Sequence, residues 1–485
     1  MARQAGIRWL KQMFSWEQIE PRKGQFWDER YKKSTWEKYD DIVNLSRKHG
    51  LRVIARVDRA PDWARRSNIS PTALPDNLED YGNFIHTLVS RYKGKIQHYQ
   101  IWNEPNLTGE WGGRPIDAAR YVELLKVAYR RAKEADPNAV ILSAPLAQTL
   151  EKSERNLNEL DFLKAMYVSG AKDSFDILFA NAYGFDKPPA DPPNAHVLNF
   201  QRVRLLRDIM VQNGDGDKAV WLNEFGWNAA PADFPPDKLY WGRVSDQQQA
   251  EYTASALRIA HSWDWLGVIN LWFFRQVGDM SPKDSAEYYF RVVDTDFTPR
   301  PVYFKVKELS KEYEVAGPGT YQETSGAVET NGSWTYEGAA SAWGEALLTS
   351  SQVGDSVTLR FKGTKVELIF QGDETSGMAY VSVDGKSTPV LPQSEQGKSY
   401  VDLYRPDLTP EASAVIVKGL PPGQHTVQLT VAGEHNPASK GNKVTVDGFS
   451  VESEPGSAGA FYGYVGGAVI GGIGLAATLL RRRRR

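Results

Sequence analysis

Short apolar runs alternate with amphipathic helical patterns over roughly the first 315 residues. The strand-like runs are Ile7–Phe14, Leu51–Val57, Ile96–Trp102, Ala139–Ser143, Phe175–Asn181, Ala219–Phe225 and Val268–Phe274. Helical patterns such as Ala118–Ala135 and Gln247–Trp263 lie between them. Repeated βα units of this kind form a parallel sheet covered by helices. The alternation predicts an α/β domain over residues 1–315, built as a TIM (β/α)8 barrel.

The number of strand-like runs is one short of a closed barrel, which needs eight strands. The chain opens in what resembles the end of a helix, so the first strand is the one we expect to be absent. The start, MARQAGIRWLKQMF, also has no apolar run of signal-peptide length. Both observations predict that the sequence is incomplete at its N-terminus. An open seven-stranded sheet is the alternative, but its exposed edges would promote aggregation.

The pattern changes after the predicted barrel. Residues 316–330 are rich in Gly, Thr, Ser and Glu, which predicts a linker. Residues 331–453 alternate apolar and polar side chains with period two, as in Val357, Leu359 and Phe361, and show no helical period. This pattern predicts an all-β jelly-roll sandwich.

The C-terminus carries an apolar segment followed by a basic tail. Residues 458–480 contain no charged side chain, and five arginines occupy 481–485. We expect a transmembrane helix with a cytoplasmic tail and an extracytoplasmic catalytic domain in the cell membrane. Glycines at every fourth position from Gly459 to Gly471 predict a homodimer through that helix. A Gly-rich buried hairpin is the alternative.

Composition excludes several classes of chemistry. The chain has no Cys, so disulfides, thiol nucleophiles and Cys-based metal sites are excluded. The net charge of −2 does not favour a nucleic-acid partner. The seven His show no HExxH spacing, and neither a phosphate-binding Gly-rich loop nor a GxSxG elbow is present. We therefore predict no metal and no cofactor.

Two segments place a glutamate at the end of a predicted strand. They are WNEPN at 102–106 and NEFGW at 223–227. Catalytic groups of barrels sit at the C-terminal ends of the strands, so Glu104 and Glu224 are expected at the barrel mouth, on strands 4 and 7 of a complete barrel. A pair of carboxyls suits the cleavage of glycosidic bonds. A further Asn-Glu pair, Asn158-Glu159, lies in an amphipathic stretch and is predicted to be a solvated helix face.

The two motifs resemble the catalytic segments of the clan of retaining (β/α)8 glycoside hydrolases that includes families 5 and 39. Other strand ends of that clan are similar to FSWEQIEPRKGQF at 14–26, PDWA at 61–64, NAYG at 181–184 and LWF at 271–273. The resemblance implies that Glu104 is the acid/base and Glu224 the nucleophile. It also implies that Asn103 binds the sugar 2-hydroxyl, that Tyr183 lies close to the nucleophile, and that Trp272 forms the floor of the subsite that holds the reacting sugar.

Six further residues are candidate substrate contacts. Lys11 stands where the second strand of the clan often carries Arg. The planar guanidinium group is thereby replaced by the compact ammonium group of lysine. Asn181 lies two residues before Tyr183. Trp16 and Trp227 follow strand ends, and either line a sugar cleft or pack under loops. Asp58-Arg59 contacts substrate or forms a local ion pair.

The function predicted from these features is hydrolysis of a β-linked poly- or oligosaccharide with retention, and the partner is carbohydrate. A catalytically weak carbohydrate-binding surface protein and a transglycosylase are the alternatives. The β-sandwich resembles galactose-binding-like modules at VDGK (383–386) and GLPPGQH (419–425), which bind carbohydrate or act as spacers. The sequence does not specify the sugar.

Overall fold

The computed structural model describes residues 1–65, 70–276, 284–312, 315–339, 341–343 and 346–453. The chain divides into two compact units, Met1–Leu309 and Ser310–Arg485.

The first unit is an α/β domain. Its strands are β1 (Trp9–Ser15), β2 (Trp27–Asp28), β3 (Lys33–Ser34), β4 (Arg52–Asp58), β5 (His98–Ile101), β6 (Val140–Leu142), β7 (Leu178–Tyr183), β8 (Val220–Gly226) and β9 (Leu266–Leu271). Strands β2 and β3 form a short antiparallel hairpin, and the others pair in parallel in the orders β1-β4-β5-β6 and β7-β8-β9. A parallel bridge between Leu142 and Ile177 joins the two sheets. Among the described residues, each of the seven predicted runs therefore contains a parallel strand.

Helices follow the strands, as the periodicity predicts. They are α1 (Trp16–Ile19), α2 (Glu37–Lys48), α3 (Leu78–Tyr92), α4 (Ala118–Ala135), α5 (Glu159–Val168), α6 (Val203–Gln212), α7 (Asp246–His261) and α8 (Pro301–Glu312). Local sequence sets where several begin. Asn77 and Asp117 cap α3 and α4, and Ser245 forms a capping box with Gln248 at α7.

Apolar side chains fill both faces of the parallel sheets. Residues on alternate positions of a strand point to opposite faces. One set packs in a small cluster that joins the two sheets and includes Ile54, Phe179 and Trp221. The other set, which includes Phe14 and Phe225, packs against the helices in the largest apolar cluster.

Beyond the end of α8 at Glu312, the second unit is built of β-strands within the residues that the structure describes. Its strands are β10 (Gly319–Gln322), β11 (Val328–Asn331), β12 (Thr335–Gly338), β13 (Ala346–Ser350), β14 (Ser356–Lys362), β15 (Lys365–Gly372), β16 (Met378–Val383), β17 (Lys386–Ser387), β18 (Tyr400–Asp402), β19 (Thr409–Lys418), β20 (Gln424–Val431), β21 (Val444–Val446) and β22 (Gly448–Glu452). All the paired strands are antiparallel. The alternating residues Val357, Leu359 and Phe361 are buried in its apolar core.

The segment predicted as a linker, 316–330, contains most of two strands. β10 pairs with β22, and β11 pairs with β14. Ala327 and Val328 are buried. The linker prediction is therefore corrected over 319–322 and 328–330, because Gly- and Thr-rich composition does not reveal that a distant strand supplies backbone hydrogen bonds.

The predicted membrane-spanning helix is also corrected. No helix within the described ranges combines the length and apolar character of a bilayer span. Even α4, with 18 residues, carries charged side chains including Arg120, Lys126 and Arg130. The predicted span, 458–480, and the basic tail, 481–485, lie outside the described residues. The single-pass membrane location and the dimer through that helix are accordingly not supported.

The Asn158-Glu159 pair is buried rather than solvated. Asn158 caps α5, and its side chain accepts the Leu160 N–H at 3.0 Å. Glu159 forms a buried ion pair with Arg202 and accepts the Thr149 N–H at 3.1 Å. The prediction of a solvated helix face is therefore wrong, because an amphipathic pattern does not show that the fold brings the buried Arg202 to this helix end.

Candidate active site

Polar side chains from β1, β7, β8 and the segment after β5 converge at one edge of the parallel sheets. Asn181 of β7 is the register partner of Glu224 of β8. Lys11 reaches Glu224 from β1, and Glu104 follows β5. The carboxyl ends of parallel strands share one edge, so residues far apart in sequence meet there.

An irregularity in β8 brings two successive side chains to the site. The register of β8 shifts against both neighbouring strands. Against β7 the shift falls between Ala180 and Asn181 of β7, and against β9 a shift falls between Leu222 and Phe225 of β8. In a regular strand adjacent side chains point to opposite faces, whereas a bulge redirects one of them. Asn223 and Glu224 consequently both contact Lys11.

The backbone around Glu104 is unusual. Trp102 has φ 69° and Glu104 has φ 38°, which are left-handed values uncommon for residues with a Cβ. The Glu104 N–H donates to the Pro145 carbonyl at 3.0 Å, and the Trp102 indole donates to the Glu110 carbonyl at 3.3 Å. Tertiary hydrogen bonds therefore accompany the turn that carries the Glu104 carboxyl.

Glu224 is held by two donors. Its Oε1 accepts from Lys11 Nζ at 3.0 Å and its Oε2 accepts from the Tyr183 hydroxyl at 2.7 Å. Burial acts to raise the pKa of Glu224, but the charge of Lys11 and the hydrogen bond from Tyr183 outweigh it and leave the pKa below its usual value. Glu224 is therefore ionised at neutral pH.

Glu104 has the opposite preference. Burial raises the pKa of Glu104 to about 8, and the negative charge of Glu224 adds to the increase. Its Oε1 accepts from Nδ2 of Asn181 at 2.6 Å. Two neighbouring carboxyls are thus held in different protonation states, because like charges disfavour each other and, of the two carboxyls, only that of Glu224 contacts Lys11.

Trp272 and Asn103 lie beside these groups. Lys11 Nζ is 5.2 Å from the centre of the Trp272 ring, and the ring is partly exposed. Asn103 is almost fully buried, and its Oδ1 accepts from Gln100 Nε2 at 3.4 Å. The structure thus brings together Lys11, Glu104, Asn181, Tyr183, Glu224 and Trp272, with Asn103 adjacent in sequence to Glu104.

Trp16 and Trp227 do not line a cleft, and their prediction as substrate contacts is corrected. Both side chains are fully buried. The Trp16 indole donates to Glu20 at 2.7 Å, and the Trp227 indole donates to the Lys187 carbonyl at 2.8 Å. Each follows its strand on the face opposite the site, where it packs in the apolar layer under the helices.

Sequence reasoning missed Arg56 and Glu110. Arg56 on β4 pairs with Asp58 at 2.6 Å, so Asp58 forms an ion pair, though with a residue other than its neighbour Arg59. The charge of Arg56 lowers the pKa of both catalytic candidates, whereas Glu110 raises that of Glu104. The signal available for Arg56 was a charged side chain between the apolar residues Ala55 and Val57 near the end of β4. Glu110 left no such signal.

The described residues contain no group of three or more His, Cys, Asp or Glu side chains that could hold a metal ion.

Known proteins are similar to part of this chain. Residues 11–156 match the sequence profile of glycosyl hydrolase family 10, a stretch that includes Glu104 and ends before Glu224. Endo-1,4-beta-xylanase A of Phanerodontia chrysosporium is 26% identical over 129 residues, 26% of this chain and 29% of that protein. Endo-1,4-beta-xylanase C of Paenibacillus barcinonensis is 27% identical over 149 residues, 26% of this chain and 12% of that protein. The chain therefore spans less than a third of the length of these relatives.

Two solved structures are similar to this chain at lower sequence identity. A family 39 glycoside hydrolase from the gut symbiont Bacteroides cellulosilyticus has 19% identity and a TM-score of 0.48, covering 88% of this chain and 76% of that one. A monomeric beta-xylosidase from Caulobacter crescentus has 14% identity and a TM-score of 0.47, covering 88% and 91%. The family 10 match and the xylanase alignments confirm the resemblance to (β/α)8-barrel glycoside hydrolases that the two motifs predicted.

Proposed function

We propose that this protein is a glycoside hydrolase that cleaves β-linked glycans with retention, using Glu224 as nucleophile and Glu104 as acid/base. The observation that carries the proposal is the meeting of two buried carboxyls at one strand edge, where Lys11 and Tyr183 donate to Glu224 and Asn181 donates to Glu104. These contacts and burial displace the two carboxyl pKa values in opposite directions. Retaining hydrolysis needs one ionised and one protonated carboxyl at the same pH.

In the first step the Glu224 carboxylate attacks the anomeric carbon. The bond from that carbon to the leaving oxygen breaks, and the proton of Glu104 passes to this oxygen. The products are a glycosyl ester on Glu224, an ionised Glu104 and a free alcohol or sugar. The ester carries no charge, so the main Coulombic cause of the raised pKa of Glu104 disappears and that pKa falls.

In the second step Glu104 accepts a proton from water, whose oxygen attacks the anomeric carbon. The ester bond breaks, and its electron pair returns to the Glu224 carboxylate. Glu104 is protonated again, so both groups regain their starting states. Two inversions at one carbon give net retention.

The surrounding residues have supporting roles in this proposal. Lys11 and Tyr183 keep Glu224 ionised through their contacts with its two oxygens. Asn103 binds the sugar 2-hydroxyl, and Trp272 provides the floor of the reacting subsite. The partner of the site is a carbohydrate chain.

We further propose β-1,4-xylan as the first substrate to test, since the similar curated proteins are named endo-1,4-beta-xylanases. The test incubates the purified protein with xylan, mannan and mixed-linkage glucan, and measures new reducing ends. Proton NMR of the first product gives its anomeric configuration. Release of β-anomers supports the proposal, and a double variant, Glu104→Gln with Glu224→Gln, is the background control. Initial release of α-anomers would exclude the retaining mechanism.

A further inference from the structure

A continuous chain of side-chain hydrogen bonds joins Lys11 to the proposed acid/base. Lys11 Nζ donates to Oδ1 of Asn223 at 2.7 Å. Nδ2 of Asn223 donates to Oδ1 of Asn181 at 2.8 Å. Nδ2 of Asn181 donates to Oε1 of Glu104 at 2.6 Å. Since Lys11 also donates to Glu224, one ammonium contacts the nucleophile directly and the acid/base through two amides.

The direction of this chain is determined by its first member. A protonated lysine has three donors and no acceptor, so Asn223 must present its carbonyl oxygen to Lys11. Its amide nitrogen then faces Asn181, which must present its own carbonyl oxygen. The amide nitrogen of Asn181 is left to face Glu104. Both amides are about 1% exposed, so water offers them little alternative.

The chain has a consequence for where Glu104 can hold a proton. A carboxyl oxygen that accepts a short N–H bond is the unprotonated oxygen of the neutral acid. With Oε1 occupied by Asn181, the proton belongs on Oε2. If Asn181 were reversed, its carbonyl oxygen would instead attract the proton to Oε1.

We propose that Lys11, acting through Asn223 and Asn181, selects Oε2 of Glu104 as the oxygen that delivers the proton to the leaving group. Asn223 is then a positioning residue for acid catalysis, although it lies beside the nucleophile in sequence. This inference depends on the proposed function, because it assigns an additional role within the same site.

Buried amides also need partners for stability alone, and the experiment must separate the two roles. A merely structural Asn223 affects all substrates alike. A residue that directs the proton affects substrates according to how much their leaving group needs it. The matched control is Asn228, a fully buried amide in the segment after β8 that bonds to Ala286 and Ala230.

The variants Asn223→Leu and Asn228→Leu are assayed on two probes. 2,4-Dinitrophenyl β-xylobioside has a leaving group that needs no proton, whereas phenyl β-xylobioside needs one. For Asn223→Leu we expect kcat/KM on the phenyl substrate to fall about tenfold or more relative to the dinitrophenyl substrate. Asn228→Leu should keep the wild-type ratio. Equal losses on both probes for Asn223→Leu would overturn the inference.

A second measurement does not depend on turnover. Carboxyl ¹³C NMR of glutamate-labelled protein follows the titration of Glu104, which is assigned with Glu104→Gln. Loss of the directed N–H donor disfavours the ionised form of Glu104, so Glu104 should titrate at higher pH in Asn223→Leu than in the wild type. An unchanged Glu104 titration in Asn223→Leu would refute the relay. A wild-type protein inactive on xylan and both probes would count against the proposed function, leaving this titration as the test of the relay.

Discussion

The ammonium of Lys11 lies 3.0 Å from the carboxylate of Glu224, although 213 residues separate them in sequence. The same ammonium contacts Asn223 at 2.7 Å. One cation on β1 therefore stabilises the charge on Glu224, whereas within the described residues the Glu104 carboxyl accepts from the Asn181 amide and forms no ion pair. This asymmetry is the physical origin of the different protonation states of the two glutamates.

The first prediction concerns the two glutamates. Glu224→Ala should abolish turnover of every substrate, because no glycosyl ester can form. Glu104→Ala should lose about 10²- to 10⁴-fold on phenyl glycosides and much less on dinitrophenyl glycosides, which need no proton. Steady-state kinetics on both substrates measure this difference.

Azide provides the control for that assignment. The anion attacks the glycosyl ester without base assistance, so it should restore activity to Glu104→Ala and give a β-glycosyl azide. Formation of an α-glycosyl azide by Glu104→Ala would reverse the two roles.

The second prediction concerns the alkaline limb of the pH profile. Glu104 must be protonated to donate, so kcat/KM should fall as the pH rises through about 8, the pKa to which burial and Glu224 raise this group. Glu110→Gln removes a negative charge that disfavours ionisation of Glu104, so its alkaline limb should move to lower pH. An alkaline limb at the wild-type pH in Glu110→Gln would show that Glu110 does not contribute to the raised pKa of Glu104.

The third prediction concerns Lys11. Lys11→Met removes the cation that lowers the pKa of Glu224, so that pKa should rise and the acid limb of kcat/KM should move to higher pH. We expect at least about a tenfold loss in kcat near neutral pH, because charge-assisted bonds to a buried carboxylate are strong. Lys11→Arg keeps the charge and is the matched control. An unmoved acid limb in Lys11→Met would contradict this account of Glu224.

The fourth prediction concerns stability away from the site. Glu159→Ala leaves the charge of Arg202 buried and unpaired, which should lower the free energy of unfolding by about 3–5 kcal/mol. The double variant Glu159→Leu with Arg202→Met removes both charges and should recover much of that loss. Urea denaturation measures both effects. A loss in the double variant as large as in Glu159→Ala would show that the ion pair is not the cause.

Strand and helix positions in the first unit were predictable because they depend on local periodicity. Each predicted strand-like run contains a strand, and the two motifs place Glu104 and Glu224 at strand ends. Period-two alternation likewise predicted the antiparallel strands of the second unit. Local patterns were insufficient where a distant partner decides the outcome, as at residues 319–322 and at Glu159.

The amino-acid sequence by itself determined where the strands lie and which strand ends carry carboxyls, since local periodicity marks each strand. Only the tertiary structure decided which face looks into the site, which is why Trp16 and Trp227 are core residues. The bulge in β8 and the cross-sheet contacts of Lys11 also arise only when strands pair. Protonation states depend on burial and on charges from distant strands, so they too were decided by the packing of the whole domain.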